Sequence, residues 1–266
     1  MRSVAHIDQG VPSGHTQCLN PMAGTNHSIN SSRWAARMKE GTETRLCESG
    51  VWIEEGILSA QQCDALLDSL SNSSLKRGRA GARRLMANPA VAELASDARL
   101  LALAERELGV PAVPYRATLF EKSGRANWLV AWHQDTALPL EEEFDDPEWG
   151  PWSLKAGIAY ARAPAWALSH IVALRVHLDP SRSENGPLRV YPGSHHLGVL
   201  SNADVFAYAS AHEPQECTVG RGGVLVMRPL GIHASSKTRS GEPRRVLHIE
   251  YAKTLDLGAG IRLAIA

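Results

Sequence analysis

Asn127-Trp128-Leu129-Val130-Ala131-Trp132-His133-Gln134-Asp135 is the stretch from which the fold is read. Asn127 to His133 reads as a strand. Side chains alternate faces along a strand, so His133 and Asp135 point the same way with one residue between them. Upstream, Arg116–Phe120 reads as another strand. Downstream, strand signals recur at Ile171–Leu178, Leu188–Tyr191, Gly223–Met227 and Arg245–Tyr251, separated by turns rich in Gly, Pro, Asn and Ser. Before them, Val51-Trp52-Ile53 forms a short strand, and Ser59 with Gln62 makes a capping box for a helix carrying Cys63, Leu66, Leu67 and Leu70. Asn88-Pro89 opens a second helical stretch that Gly109 stops. Helices first and a run of short strands after them predict a mainly β fold, a sandwich or barrel backed by N-terminal helices.

The flanks bound the rest. Of 266 residues, 44% are hydrophobic and 21% charged, which is a globular makeup and excludes a disordered or collagen-like chain. The 28 basic and 28 acidic residues cancel, which argues against a phosphate-neutralising nucleic-acid binder. No apolar run approaches the ~18 residues of a membrane span. Cys18, Cys47, Cys63 and Cys217 form no C-x-x-C pair, so they read as reduced thiols, and a cytoplasmic protein is the expectation. Residues 1–31 read as a flexible leader, with a short helix from Trp34 to about Glu40. Residues 32–266 then form a single domain. Within it, 136–170 holds an acidic run and prolines 139, 147, 151 and 164, and reads as a lid or substrate loop.

A neutral imidazole and a carboxylate on one face can share a divalent ion. His133 and Asp135 need a third donor, and His233 is the candidate. Two histidines and one carboxylate leave coordination positions open, which suits non-haem Fe(II) that must also bind a cosubstrate and oxygen. Arg244 lies 244 − 233 = 11 residues beyond His233, at the head of a strand. A guanidinium pointing into a barrel needs an anion, and a carboxylate is its natural bidentate partner.

Three segments carry a family resemblance: Trp132-His133-Gln134-Asp135, Asn185-Gly186-Pro187-Leu188 running into Tyr191-Pro192-Gly193-Ser194-His195, and His233-Ala234-Ser235 with Arg244 beyond. The chain resembles the phytanoyl-CoA hydroxylase family of Fe(II)/2-oxoglutarate-dependent oxygenases from about Val51 to Tyr251. The resemblance implies a double-stranded β-helix (jelly-roll, cupin-like) core. It also implies iron on His133, Asp135 and His233, 2-oxoglutarate and O2 as cosubstrates, Arg244 on the far carboxylate and Ser235 assisting it. Hydroxylation of a small molecule, with release of succinate and CO2, is the implied activity. Similar halogenases carry Gly or Ala where Asp135 stands, which argues against halogenation.

Further candidates rest on strand parity. Asn127 shares a face with His133 and meets 2-oxoglutarate or substrate, or makes a strand-end turn bond. His248 shares a face with Arg244 and lies in the pocket, or is a satisfied core histidine. Arg175 and His177 contact an acidic substrate or stand on a solvated outer face. Trp149, Trp152 and Lys155 form a lid over substrate, or pack as an ordinary loop. Tyr191 to His195 reads as a turn, and His195 and His196 as turn or surface residues. Two other readings of the chain stay open: a cupin-like metalloenzyme that does not use 2-oxoglutarate, and a non-catalytic jelly-roll binding protein.

Overall fold

The computed structural model describes residues 48–73, 76–78, 81–124 and 126–266. The leader, the helix near Trp34, Cys18 and Cys47 lie outside them. Strand β1 (Val51–Glu54) leads to helix α1 (Ala60–Asn72), whose Ser59–Gln62 capping box forms as read. The short strands β2 (Arg77–Gly78) and β3 (Gly81–Ala82) precede α2 (Pro89–Ala95) and α3 (Ala98–Leu108). The single helical stretch expected here is therefore two helices. Asp97 caps α3 by accepting the Arg99 N–H at 2.8 Å, and that cap turns the chain after Ala95.

The strands follow as β4 (Val113–Lys122), β5 (Val130–His133), β6 (Ala137–Leu140), β7 (Trp152–Lys155) and β8 (Ile158–Arg162). After helix α4 (Ala165–Leu168) come β9 (Ile171–His177) and β10 (Leu188–Val190). Helix α5 (Asn202–Ala211) leads into β11 (Gln215–Cys217), β12 (Val224–Met227), β13 (His233–Ser235), β14 (Arg244–Ala252), β15 (Asp256–Gly258) and β16 (Ile261–Arg262). The expected strand from Asn127 begins only at Val130.

A seven-stranded antiparallel sheet runs β1-β12-β9-β14-β4-β3-β2, and a four-stranded one runs β11-β10-β13-β5. Val172, Leu174, Val176, Leu247, Ile249 and Tyr251 form the outer face of the large sheet and pack on the N-terminal helices in one buried cluster. The Tyr251 hydroxyl donates to Ala95 O at 2.9 Å, pinning the sheet to the end of α2. The alternate residues of β4, β9 and β14 face the small sheet. Register sets Arg244 opposite Lys122, His248 opposite both Thr118 and Arg175, and Glu250 opposite Arg116.

Residues 136–170 are not the open loop expected from their prolines. They fold into a third sheet, β6-β8-β7. Pro139 is tolerated because β6 is an edge strand, where a missing N–H costs no ladder bond. Among the described residues no helix is long and apolar enough to cross a membrane.

Candidate active site

β5 and β13 pair so that His133 lies opposite His233, with ring centroids 4.2 Å apart. Asp135 follows two residues on, its N–H bonded to Pro229 O at 2.9 Å. Asp135 Oδ1 is 3.6 Å from His133 Nε2, and Oδ2 is 3.6 Å from His233 Nε2. The donor atoms of the three all lie within 4.8 Å of one another. Metal bonds of about 2.1 Å hold donors ~3–4 Å apart, so an ion needs only a small closure of this set.

The tautomers are fixed by the backbone. His133 Nδ1 lies 2.8 Å from Ala131 O and His233 Nδ1 lies 2.9 Å from Gly231 O. A carbonyl only accepts, so each Nδ1 carries the hydrogen and each Nε2 turns a lone pair inward, the form a metal requires. Burial, then the neighbouring His133, pushes His233 down to about 3. Burial also disfavours charge on His133, but the Asp135 carboxylate outweighs it and lifts that imidazole above its usual range. Burial alone would raise Asp135; His233 and His133 instead hold it well below the usual carboxylate range. The His233 side chain is 4% exposed against 37% for His133 and 35% for Asp135, so the site opens on the His133–Asp135 side.

Two framing motifs place the side chains of this site. Ser194, in the Tyr191–His195 turn, donates to Tyr191 O at 2.6 Å and accepts the Ile232 N–H at 2.8 Å, fixing the residue before His233. Gly186, at φ +70°, lets the Ser236 carbonyl pass where a Cβ would sit 2.4 Å from its oxygen. Its own carbonyl accepts the Ser235 hydroxyl at 2.8 Å. Gln134, between the two proposed ligands, is buried and bonds Gly198 O, Leu230 O and Leu200 N, each at 2.8 Å.

Arg244 is buried, and its Nε and Nη1 have no hydrogen-bond partner; Nη2 reaches Ser235 Oγ at 3.4 Å. Burial, then the charge of Arg175, lowers its pKa to about 9. Lys122 stands beside it. Its Nζ donates to Ser235 Oγ at 2.6 Å and to the carbonyls of Ser235 and Ser236. Burial, then Arg244 and Arg175, pushes this amine down to about 7. An unpaired buried guanidinium next to a buried amine is a site built for an anion. The sequence pattern ends this strand at Phe120, whereas β4 runs on to Lys122, which shares the parity of Thr118 and Phe120.

The other candidates sort by contact. Asn127 has both ends of its carboxamide on the Thr238 backbone, at 2.9 and 2.8 Å, which is the turn bond. Trp149 is buried in the core with Leu138, Leu140 and Leu168, not on a lid. Trp152 is half-buried against Phe144, and Lys155 Nζ lies 4.7 Å from the Tyr160 ring centre. Arg175, His177 and His248 are all buried and share the inward face. The outer solvated face proposed for the first two is thereby excluded.

The family model for phytanoyl-CoA dioxygenase (PhyH) matches residues 46–246. L-proline trans-4-hydroxylase of Streptomyces griseoviridis is 26% identical over 231 residues, 77% of each chain. EctD from S. alaskensis, solved with 2-oxoglutarate and 5-hydroxyectoine, superposes with a TM-score of 0.62 at 20% identity, covering 81% of this chain and 76% of that one. The carbocyclase SnoK from nogalamycin biosynthesis gives 0.64 at 17% identity, covering 87% and 88%. At these identities the two structures speak to the jelly-roll fold.

Proposed function

This chain belongs to the phytanoyl-CoA dioxygenase family and is an Fe(II)/2-oxoglutarate-dependent dioxygenase, and from that premise we propose that it hydroxylates an unactivated C–H of a small molecule. In this reading His133, Asp135 and His233 hold Fe(II), and Arg244, with Lys122 and Ser235, holds the far carboxylate of 2-oxoglutarate. The unpartnered Nε and Nη1 of buried Arg244 are the observation that carries it, because an unpaired buried charge calls for an anion and 2-oxoglutarate brings a free carboxylate to the site. The likeness to an L-proline trans-4-hydroxylase supports a small, saturated substrate carbon.

Bound iron supplies the oxidation, in which one atom of O2 enters succinate as 2-oxoglutarate loses CO2 and the other enters the substrate C–H. The protein's part is orientation and charge. The backbone carbonyls of Ala131 and Gly231 hold both imidazoles in the ligating tautomer. Arg244 and Lys122 fix one end of the cosubstrate from β14 and β4. The buried thiols Cys63 and Cys217 suit a reducing, cytoplasmic setting, and we propose one domain for residues 32–266.

The test is succinate release from 2-oxoglutarate with Fe(II) and candidate small molecules, in step with substrate gaining one oxygen by mass spectrometry. Binding of metal without any binding of 2-oxoglutarate would overturn the reading.

A further inference from the structure

Arg175 is the buried cation that the reaction above leaves unused. It sits on the inward face of β9, 6% exposed, with its guanidinium carbon 5.3 Å from the Phe120 ring centre. Nη1 donates to His248 Nδ1 at 3.2 Å, and Nε is buried without a partner. Arginine only donates, so His248 Nδ1 is the acceptor and the imidazole proton sits on Nε2, 3.6 Å from Glu250 Oε1. Glu250 in turn pairs with Arg116 at 3.0 Å. The carboxylate two residues along β14 from His248 is thus answered elsewhere, and Arg175 is left with an imidazole nitrogen.

Charge balance extends the argument. The cavity holds Lys122, Arg175 and Arg244, whose charges disfavour one another. Against them stand Asp135, which the ion takes up, and the two carboxylates of 2-oxoglutarate. One of these is answered by Arg244, the other by the divalent ion. With both bound, two positive charges remain, or one if Lys122 gives up its proton. A buried site carrying that charge is costly unless a ligand cancels it. Arg175 feels the charge of Asp135, on the open side of the triad where a substrate would enter.

We propose that the substrate is a small carboxylic acid and that Arg175, braced by His248 and stacked on Phe120, binds its carboxylate. The inference rests on the assignment of Arg244 to the cosubstrate. The test is calorimetric. Protein loaded with Mn(II) and saturated with 2-oxoglutarate is titrated with L-proline and with cyclohexanecarboxylate, each against its primary amide. A charge-assisted bond is worth roughly tenfold to a hundredfold, so the acids should bind more tightly by about that factor. Arg175→Gln should bring the preference close to unity, Arg175→Lys should keep part of it, and neither should move the 2-oxoglutarate Kd by more than about threefold. Acid and amide binding alike in the wild type, or neither binding, overturns the proposal. So does an Arg175→Gln protein that loses 2-oxoglutarate while keeping the acid preference, because Arg175 would then serve the cosubstrate. Failure of the wild type to bind 2-oxoglutarate at all sinks the underlying assignment, and this one with it.

Discussion

Lys122 Nζ lies 2.6 Å from Ser235 Oγ, and its bonds to Ser235 tie β4 of the large sheet to β13 of the small one two residues past His233. The amine is buried and its pKa sits near 7 rather than near that of free lysine. A dicarboxylate at Arg244 would favour the ammonium form, so above pH 7 binding must take up a proton. The 2-oxoglutarate affinity is expected to be flat below pH 7 and to fall by up to about tenfold per unit above it. Lys122→Met should weaken binding at pH 6.5 by about tenfold or more and flatten that dependence. Calorimetry across pH on the Mn(II) protein checks both, and a slope that persists in Lys122→Met would rule this lysine out.

Arg244→Ala separates the two ends of the cosubstrate. Removing a guanidinium from a buried ion pair costs about 3–5 kcal/mol, so 2-oxoglutarate should bind roughly two to three and a half orders of magnitude more weakly. 2-Oxopentanoate, which lacks the far carboxylate, should bind wild type and variant equally. An equal loss for both keto acids would show that Arg244 acts on the fold rather than on the carboxylate.

His133 is half-buried at the open side of the triad, which makes it the clean place to test metal binding. His133→Ala removes one donor and little packing. The metal-free unfolding free energy should stay within about ±0.5 kcal/mol of wild type, the range of a surface substitution, while the rise in melting temperature on adding Fe(II) or Mn(II) disappears. Adding a chelator to the wild type should reproduce the variant's melting curve.

How much of this was legible in the sequence depends on what each strand packs against. His133 and Asp135 share a face by parity alone, and the distal His233 with Arg244 followed from spacing and family likeness. Parity could not place Arg175 and His177, because β9 is buried on both faces, by helices outside and the cavity inside. The polar side of such a strand faces a buried site rather than solvent, so polarity does not tell its inside from its outside. The 136–170 segment misled for a related reason. Its prolines erased the alternation that strand reading needs, yet Pro139 sits on an edge that asks nothing of its nitrogen.

Trp149 tests the outcome of that misreading. It is 6% exposed, edge-on to Phe144 and Trp166, and clustered with Leu138 and Leu168. Trp149→Ala should cost about 3–5 kcal/mol in chemical denaturation. The surviving folded protein should keep its 2-oxoglutarate Kd, which a lid residue controlling access would not.

Gly186 is where the fold and the proposed cosubstrate site meet. Its left-handed φ of +70° already disfavours any side chain, and an added Cβ would fall 2.4 Å from Ser236 O, the same carbonyl that accepts from Lys122. Its own carbonyl holds the Ser235 hydroxyl. Gly186→Ala must therefore push the Ser235–Ser236 backbone away, at a cost of roughly 1–3 kcal/mol in stability. If Lys122 and Ser235 assist the far carboxylate, the same shift should weaken 2-oxoglutarate binding while leaving Mn(II) affinity close to wild type, since the Gly231 O that orients His233 lies on the other side of the ligand. A variant that loses stability but keeps full 2-oxoglutarate affinity would mean that this turn serves the fold alone.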